Sequence, residues 1–221
     1  MPVPIRMTKI HHACLTIDDG STRLLLDPGQ LGPRPSLDAV TAVLITHRHV
    51  DHLDPELVAE ALRRGVPVWA PGDALGDIGV PDGIEDGGLH EAVPGAALRI
   101  GSLSVQVAGE RHAELHPTLP GPENRAYLID ERVLVTGDEH PVPPSRPTTL
   151  VTPIDAPWLR ATDLIRYVRD VRPELVVGVH DGLLNADGLS VARHVIDALR
   201  NEGATGATML ADGESIDIPR G

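Results

Sequence analysis

Thr46-His47-Arg48-His49-Val50-Asp51-His52 is the stretch on which the reading of this chain turns. Three imidazoles and a carboxylate fall within residues 47–52. Ala42-Val43-Leu44-Ile45 comes directly before, an apolar run short enough to be a buried strand. Asp54-Pro55-Glu56 comes after and reads as a helix start, with Asp54 as N-cap and Pro55 at the first helical position. The cluster therefore belongs to a tight strand-to-helix loop, the kind of edge where a rigid scaffold presents chemistry. His47 and His49 are two apart and point the same way if the segment is extended. Asp51 and His52 cannot share that direction with both of them. One metal ion could take the first pair and a neighbouring ion the second. The alternative is a polar loop whose histidines merely cap or solvate; four ligand-type residues straight after a buried strand argue against it.

Composition narrows the function classes. The chain has 221 residues, enough for a substantial core, and reads as one domain over residues 1–221. Apolar residues make up 41%, as in a typical globular protein. The net charge of −13 opposes a nucleic-acid backbone, which needs clustered Lys and Arg, and an anionic membrane surface for the same reason. Cys14 is the single cysteine, so no internal disulfide can form. Residues 1–6 lack the apolar core of a signal peptide, and no stretch approaches the length of a membrane span. The expectation is a cytoplasmic enzyme acting on a small molecule. Oligomeric state is not legible.

Outward from the motif, alternation over residues 13–17, a turn at 18–21 and Arg23-Leu24-Leu25-Leu26 form a hairpin ending in Asp27-Pro28-Gly29. His11 and His12 are read as the beginning of its first strand; His12 either lines the mouth of the site or is a half-exposed strand-start histidine. Residues 54–64 form a helix with Leu57, Val58, Ala61 and Leu62 inward, stopped at Gly65. Residues 67–70 form a short strand, and 71–88 a loop with one helical turn. A hairpin over residues 98–107 turns at Gly101-Ser102 and runs into Gly109-Glu110-Arg111-His112. Another hairpin, 126–129 and 132–135, ends in Thr136-Gly137-Asp138, with Glu139-His140 just beyond. Residues 148–152 form a buried strand, followed by Trp158, one of two tryptophans in a chain without Phe. It is either a pocket wall or a core anchor. Residues 162–171 form a helix with Leu164, Ile165, Val168 and Val171 on one face. A strand at 175–179 leads directly into His180-Asp181. Ser190 is read as the start of a last helix with Val191, Val195, Ile196 and Leu199 inward and His194 off the stripe. Short strands at 208–210 and 215–218 close the chain.

The His-x-His-x-Asp-His run, the hairpin ending in Asp-Pro, the Gly-Asp after a strand and the late strand-end histidine together resemble the metallo-β-lactamase fold superfamily. The resemblance implies an α+β fold, a four-layer αββα sandwich of two similar halves with metals at the shared sheet edge. It implies His47, His49 and His112 on one divalent ion, Asp51, His52 and His180 on a second, and Asp138 bridging both. His116 competes with His112, and His140 with the neighbouring ligands. Asp27 is either a ligand-orienting carboxylate or an ordinary turn residue. The compact length and the Val179-His180-Asp181 ending look most like the ascorbate-6-phosphate lactonase branch.

Such a site implies a metal-dependent hydrolase in which Asp51 and Asp138 hold the catalytic charge balance. His and carboxylate ligands suit Zn2+ first, with Mn2+ or Fe as alternatives. The expected substrate is a small ester or lactone carrying an anionic group, with Arg111, Arg125 and Arg146 as its candidate partners. The alternatives are a nuclease of the same fold, which the charge opposes, and a non-catalytic metal-binding protein.

Overall fold

The computed structural model describes residues 4–80 and 87–219. Residues 81–86, part of the loop expected at 71–88, lie outside the described residues.

The first half of the chain alternates short strands: β1 (Ile5–His11), β2 (Cys14–Asp18), β3 (Arg23–Leu26), β4 (Ala42–Leu44), β5 (Val68–Ala70) and β6 (Leu89–Glu91). Helix α1 (Pro55–Arg63) lies between β4 and β5. The second half supplies β7 (Ala97–Ile100), β8 (Leu103–Ala108), β9 (Ala126–Ile129), β10 (Val133–Val135), β11 (Thr149–Pro153), β12 (Leu175–Val179) and β13 (Gly206–Met209). Helices α2 (Ala161–Val171) and α3 (Ala186–Leu199) flank β12, and β14 (Ser215–Ile218) is the last strand.

Two seven-stranded sheets result, ordered β14-β1-β2-β3-β4-β5-β6 and β7-β8-β9-β10-β11-β12-β13. Read in these orders, each has three antiparallel pairings followed by three parallel ones. The halves therefore repeat one topology, with the last strand of the chain completing the first sheet. Three apolar clusters define the layers. Leu15, Ile17, Leu24, Leu44, Val105, Tyr127 and Val177 meet between the sheets. Leu25, Val43 and Val68 pack outward against Leu57, Val58 and Ala61 of α1. Leu128, Leu150 and Val176 pack outward against Leu164, Val168 and Ile196 of α2 and α3. The order is helix, sheet, sheet, helices: the expected αββα sandwich. Strands with an apolar side chain on both faces are what a covered parallel sheet requires.

α1 starts as expected: Asp54 accepts the Glu56 and Leu57 backbone N–H groups, and Pro55 takes the first turn. Two expectations need correction. The first strand does not begin at His11 and His12; β1 covers Ile5–His11 and ends at His11, and His12 sits in the β1–β2 turn with φ 53°. The period-two burial of Ile5, Met7 and Lys9 carries β1, and buried Lys9 hides the pattern because its ammonium pairs with Asp181. α3 starts at Ala186, because the Asn185 side chain accepts the Gly188 N–H and caps it there. Ile196 and Leu199 face inward as expected, joined by Ala192, while Val191 is 64% exposed. Beyond the segment read as loop, β6 (Leu89–Glu91) adds a parallel edge strand beside β5. Among the described residues, no helix is long and apolar enough to cross a membrane.

Candidate metal centre

Every residue expected to bind metal follows the carboxyl end of a strand, where open α/β sheets present their sites. His47, His49, Asp51 and His52 follow β4; His112 follows β8; Asp138 follows β10; His180 follows β12. The two halves bring these ends to one shared edge. His47, His49 and His112 offer nitrogens that all lie within 4.8 Å of one another, as do donor atoms of Asp51, His52, His180 and His12. Ligands about 2.1 Å from one ion stand roughly 3–4 Å apart, so each group fits around a single cation. Asp138 lies between the groups: Oδ1 is 3.3 Å from His52 Nε2, and Oδ2 is 3.4 Å from His112 Nε2 and 3.3 Å from His180 Nε2. His116 stays outside, exposed, its Nδ1 accepting the Thr118 N–H at 3.2 Å. His140 also stays outside, stacked on the Tyr167 ring at 4.5 Å, and burial pushes its imidazole down to about 4.

The hydrogen bonds fix which ring nitrogen of His47, His52, His112 and His180 holds its proton. His112 Nδ1 lies 2.7 Å from the Ala113 carbonyl, and His180 Nδ1 lies 2.6 Å from the Asp155 carbonyl. A carbonyl only accepts, so both Nδ1 atoms donate and both Nε2 lone pairs face the centre. His52 Nδ1 donates to Asp27 Oδ2 at 2.8 Å. The Thr46 hydroxyl donates to the same Asp27 oxygen at 2.7 Å, so it can only accept from His47 Nδ1 at 3.1 Å. His47 thus takes the same tautomer. Nε2 of His47, His52 and His180 and Oδ1 of Asp138 are buried and make no well-formed hydrogen bond among the described residues. Buried polar atoms of this kind call for an unseen partner. Lone pairs converging with a carboxylate at metal-ligand spacing make a divalent cation a fitting one.

Charge agrees. Burial alone would lower the His180 imidazole, but Asp138 and Asp51 raise it to about 9. Burial likewise opposes a charged His52, yet Asp138 and Asp27 hold its pKa well above the usual imidazole range. Burial would raise the Asp51 and Asp138 carboxyls, and the surrounding imidazoles instead hold both far below the ordinary carboxylate range. The pocket is arranged for positive charge between the carboxylates. His47 behaves differently: burial, then the neighbouring His52, keeps it neutral, as a metal ligand must be.

Several supporting residues were open or unsuspected in the sequence. Asp27 is the orienting carboxylate and more than a turn residue: 1% exposed, it also accepts the Thr46 N–H at 2.7 Å. Trp158 is half-buried against the site and donates its indole N–H to Asp138 Oδ2 at 3.1 Å. Asn124 carried no recognisable signal; its amide bridges the Thr136 carbonyl at 2.9 Å and the Asp138 N–H at 3.0 Å, setting the Gly137 turn. Arg125 is a correction. It was expected near an anionic substrate group, but it is buried, donating to the Ala92, Glu110 and Asn124 carbonyls and to Glu123. Arg146 donates to the Arg172 carbonyl, while Arg111 remains exposed.

Two back-to-back mixed sheets with a His/Asp cluster at one shared edge define the metallo-β-lactamase class of α+β sandwiches. The chain belongs to that family: residues 6–180 match the beta-lactamase superfamily domain. It is 29% identical over 195 residues to Protein Rv0786c of Mycobacterium tuberculosis, covering 85% of this chain and 89% of that one. It is 30% identical over 139 residues to the UPF0173 metal-dependent hydrolase MJ1163 of Methanocaldococcus jannaschii, covering 58% of each. The fold superposes on Igni18, a metallo hydrolase from Ignicoccus hospitalis, with TM-score 0.70, 16% identity and coverage of 98% and 99%.

Proposed function

We propose that this chain is a hydrolase that holds two divalent metal ions, Zn2+ first among the candidates, and cleaves a small ester or lactone. The observation that supports it best is the tautomer pattern: His52, His112 and His180 turn Nε2 toward Asp138, and His47 keeps a buried Nε2 without a hydrogen-bond partner among the described residues. In this reading His47, His49 and His112 hold one ion, Asp51, His52 and His180 the other, and Asp138 serves both. Bound there, the ions supply a water acidified toward neutrality and an electrophile for a carbonyl oxygen. The chain's own contribution is positional. Asp51 and Asp138 offset the cations' mutual repulsion, and Trp158 turns the Asp138 carboxylate. Asp27 and Thr46 keep two imidazoles from rotating.

The substrate class follows from the rim. Arg125 is engaged internally and Arg146 donates to the Arg172 carbonyl, so of the three arginines expected to meet an anionic substrate group only the Arg111 side chain makes no such bond to the backbone among the described residues. The loops that carry the ligands instead expose Val50, Leu115, Leu119 and Leu183. Burying apolar surface there contributes about 25 cal/mol per Å2 and favours an ester or lactone with an apolar substituent. Kinship with the ascorbate-6-phosphate lactonase branch rests on length and the 179–181 ending alone.

The test is elemental analysis of freshly purified protein, then turnover of apolar esters, lactones, their phosphorylated counterparts and oligonucleotides with that metal. Ester or lactone turnover is expected, abolished by chelation and by Asp51→Ala, whose far-UV circular dichroism stays unchanged. Faster cleavage of oligonucleotides, or undiminished turnover by Asp51→Ala at saturating metal, overturns the reading.

A further inference from the structure

His12 stands far from the His-rich motif in sequence, yet its ring lies against that of His180, centroid to centroid 3.9 Å, and is almost wholly buried. Its Nε2 is 3.2 Å from Asp51 Oδ2. On the other side of the ring, the Gly182 backbone N–H donates to Nδ1 at 3.0 Å. A backbone N–H can only donate, so Nδ1 carries the lone pair and the proton of the neutral ring sits on Nε2. This is the reverse of His52, His112 and His180, whose Nδ1 atoms donate to an oxygen on the far side and leave the Nε2 lone pair turned toward the carboxylates. His12 therefore presents a donor, not a lone pair, to the Asp51 carboxylate.

We propose that His12 is a positioning residue that holds the Asp51 carboxylate on the metal ion of the Asp51/His52/His180 group, without being a ligand itself. The inference rests on the two-metal reading above. A ligand role would need the proton on Nδ1, where it would meet the Gly182 N–H head on. The arrangement is braced on several sides. The His12 backbone is left-handed at φ 53°, and its carbonyl accepts the His180 N–H at 3.1 Å. A Cβ at Gly182 would lie 3.0 Å from His12 Cβ and 2.7 Å from His11 Nε2, so the close approach of that N–H depends on glycine. The neighbouring Asp181 is anchored by the buried Lys9 ammonium at 2.5 Å. One hydrogen bond to Oδ2 fixes the carboxylate plane and leaves its remaining lone pairs for a cation, as outer partners of metal-binding carboxylates do.

The experiment titrates chelator-stripped full-length protein with Co2+, read by visible absorption and by elemental stoichiometry. Wild type, His12→Leu and His12→Gln are compared. Wild type should take up two ions. His12→Leu should bind its first ion as wild type does and its second about 10–100-fold more weakly. His12→Gln keeps an N–H within reach of Asp51 and should restore the second affinity close to the wild-type value, with an unshifted Co2+ spectrum. Unchanged second-ion affinity in His12→Leu overturns the proposal, as does equal weakening of both ions. A His12→Gln variant as weak as His12→Leu, with a shifted spectrum, marks His12 as a ligand and also overturns it. If wild type takes up a single ion, the two-metal reading fails first and this inference with it. If His12→Leu does not fold, histidine-ring 1H–15N spectra of Zn2+-loaded wild type decide. A proton on Nε2 of His12 supports the proposal, and a proton on Nδ1 overturns it.

Discussion

Asp27 shows how much of the centre depends on one residue that binds no metal in this reading. Its carboxylate accepts the Thr46 N–H and hydroxyl, both at 2.7 Å, and His52 Nδ1 at 2.8 Å. Through Thr46 it also sets the His47 ring. Removing it strands buried donors that cost about 1–3 kcal/mol each when unsatisfied. Asp27→Ala should therefore lower unfolding free energy by about 3 kcal/mol or more and weaken metal binding about 10–100-fold. Denaturant melts and Co2+ titration check both; native metal affinity would show that the orienting bonds are dispensable. The raised His180 pKa gives a second expectation. Its folded value of about 9 exceeds the reference 6.5, so protonated His180 stabilises the chelated protein fully below pH 6.5. That contribution is lost as pH rises through about 9. His47 is neutral throughout this window and does not offset it. With metal bound, the cation replaces the proton. Melting temperatures between pH 6.5 and 9 should fall for chelated protein and stay nearly level for loaded protein, and parallel curves would refute this.

Between β4 and α1, the ligand loop is held by the segment after β3 as much as by its own turns. Gln30 N–H donates to the Val50 carbonyl at 2.7 Å, and Asp54 N–H to the Pro28 carbonyl at 2.8 Å. Gly29 sits inside this clamp, where a Cβ would lie 2.0 Å from the Asp51 carbonyl oxygen. Backbone must then move. Gly29→Ala should displace the Asp51 loop and cost at least ten-fold in second-ion affinity, while α1, capped by Asp54, stays folded. Circular dichroism beside Co2+ titration separates the two effects. Unaltered metal binding would mean the loop yields without disturbing Asp51. Helix starts were legible where a side-chain cap stands beside Pro, as at Asp54-Pro55. The start at Asn185 was missed because Ser190 offers a second candidate cap five residues on, whereas it is the Asn185 side chain that accepts the Gly188 N–H.

Across the molecule, the centre exists because two sheets are held in one relative position. Tyr127 of β9 donates its hydroxyl to the Ile45 carbonyl at 2.7 Å, and Arg125 N–H donates to the Thr46 carbonyl at 2.8 Å. These bonds cross from the second sheet to the loop that carries the first ligands. β14, returning to pair with β1, locks the halves at the other edge. Tyr127→Phe keeps the apolar ring between the sheets but leaves a buried carbonyl unpaired, at about 1–3 kcal/mol. The variant should melt earlier by that amount, and saturating metal should recover part of it, because ions that bind the folded state alone stabilise it. An unchanged melt would show that the ring's packing alone sets the sheet spacing.

Local chemistry was enough to read most strands of the two sheets, β1 and β6 aside, the helix begun by Asp54 and Pro55, and the ligand-type residues after β4, β8, β10 and β12. Each of these is written in consecutive residues: apolar runs, turn residues, a cap, a histidine at a strand's end. β1 and the buried use of Arg125 were not readable, because each depends on a partner distant in the chain. Lys9 looks like a surface residue until Asp181 is beside it, and Arg125 looks free until three carbonyls and Glu123 surround it. The tautomers are the plainest case. Nothing in the order of residues separates His12 from His180; the difference lies in whether the backbone group facing Nδ1 is a carbonyl or an N–H. That is settled when β1 and β12 are brought to the same edge.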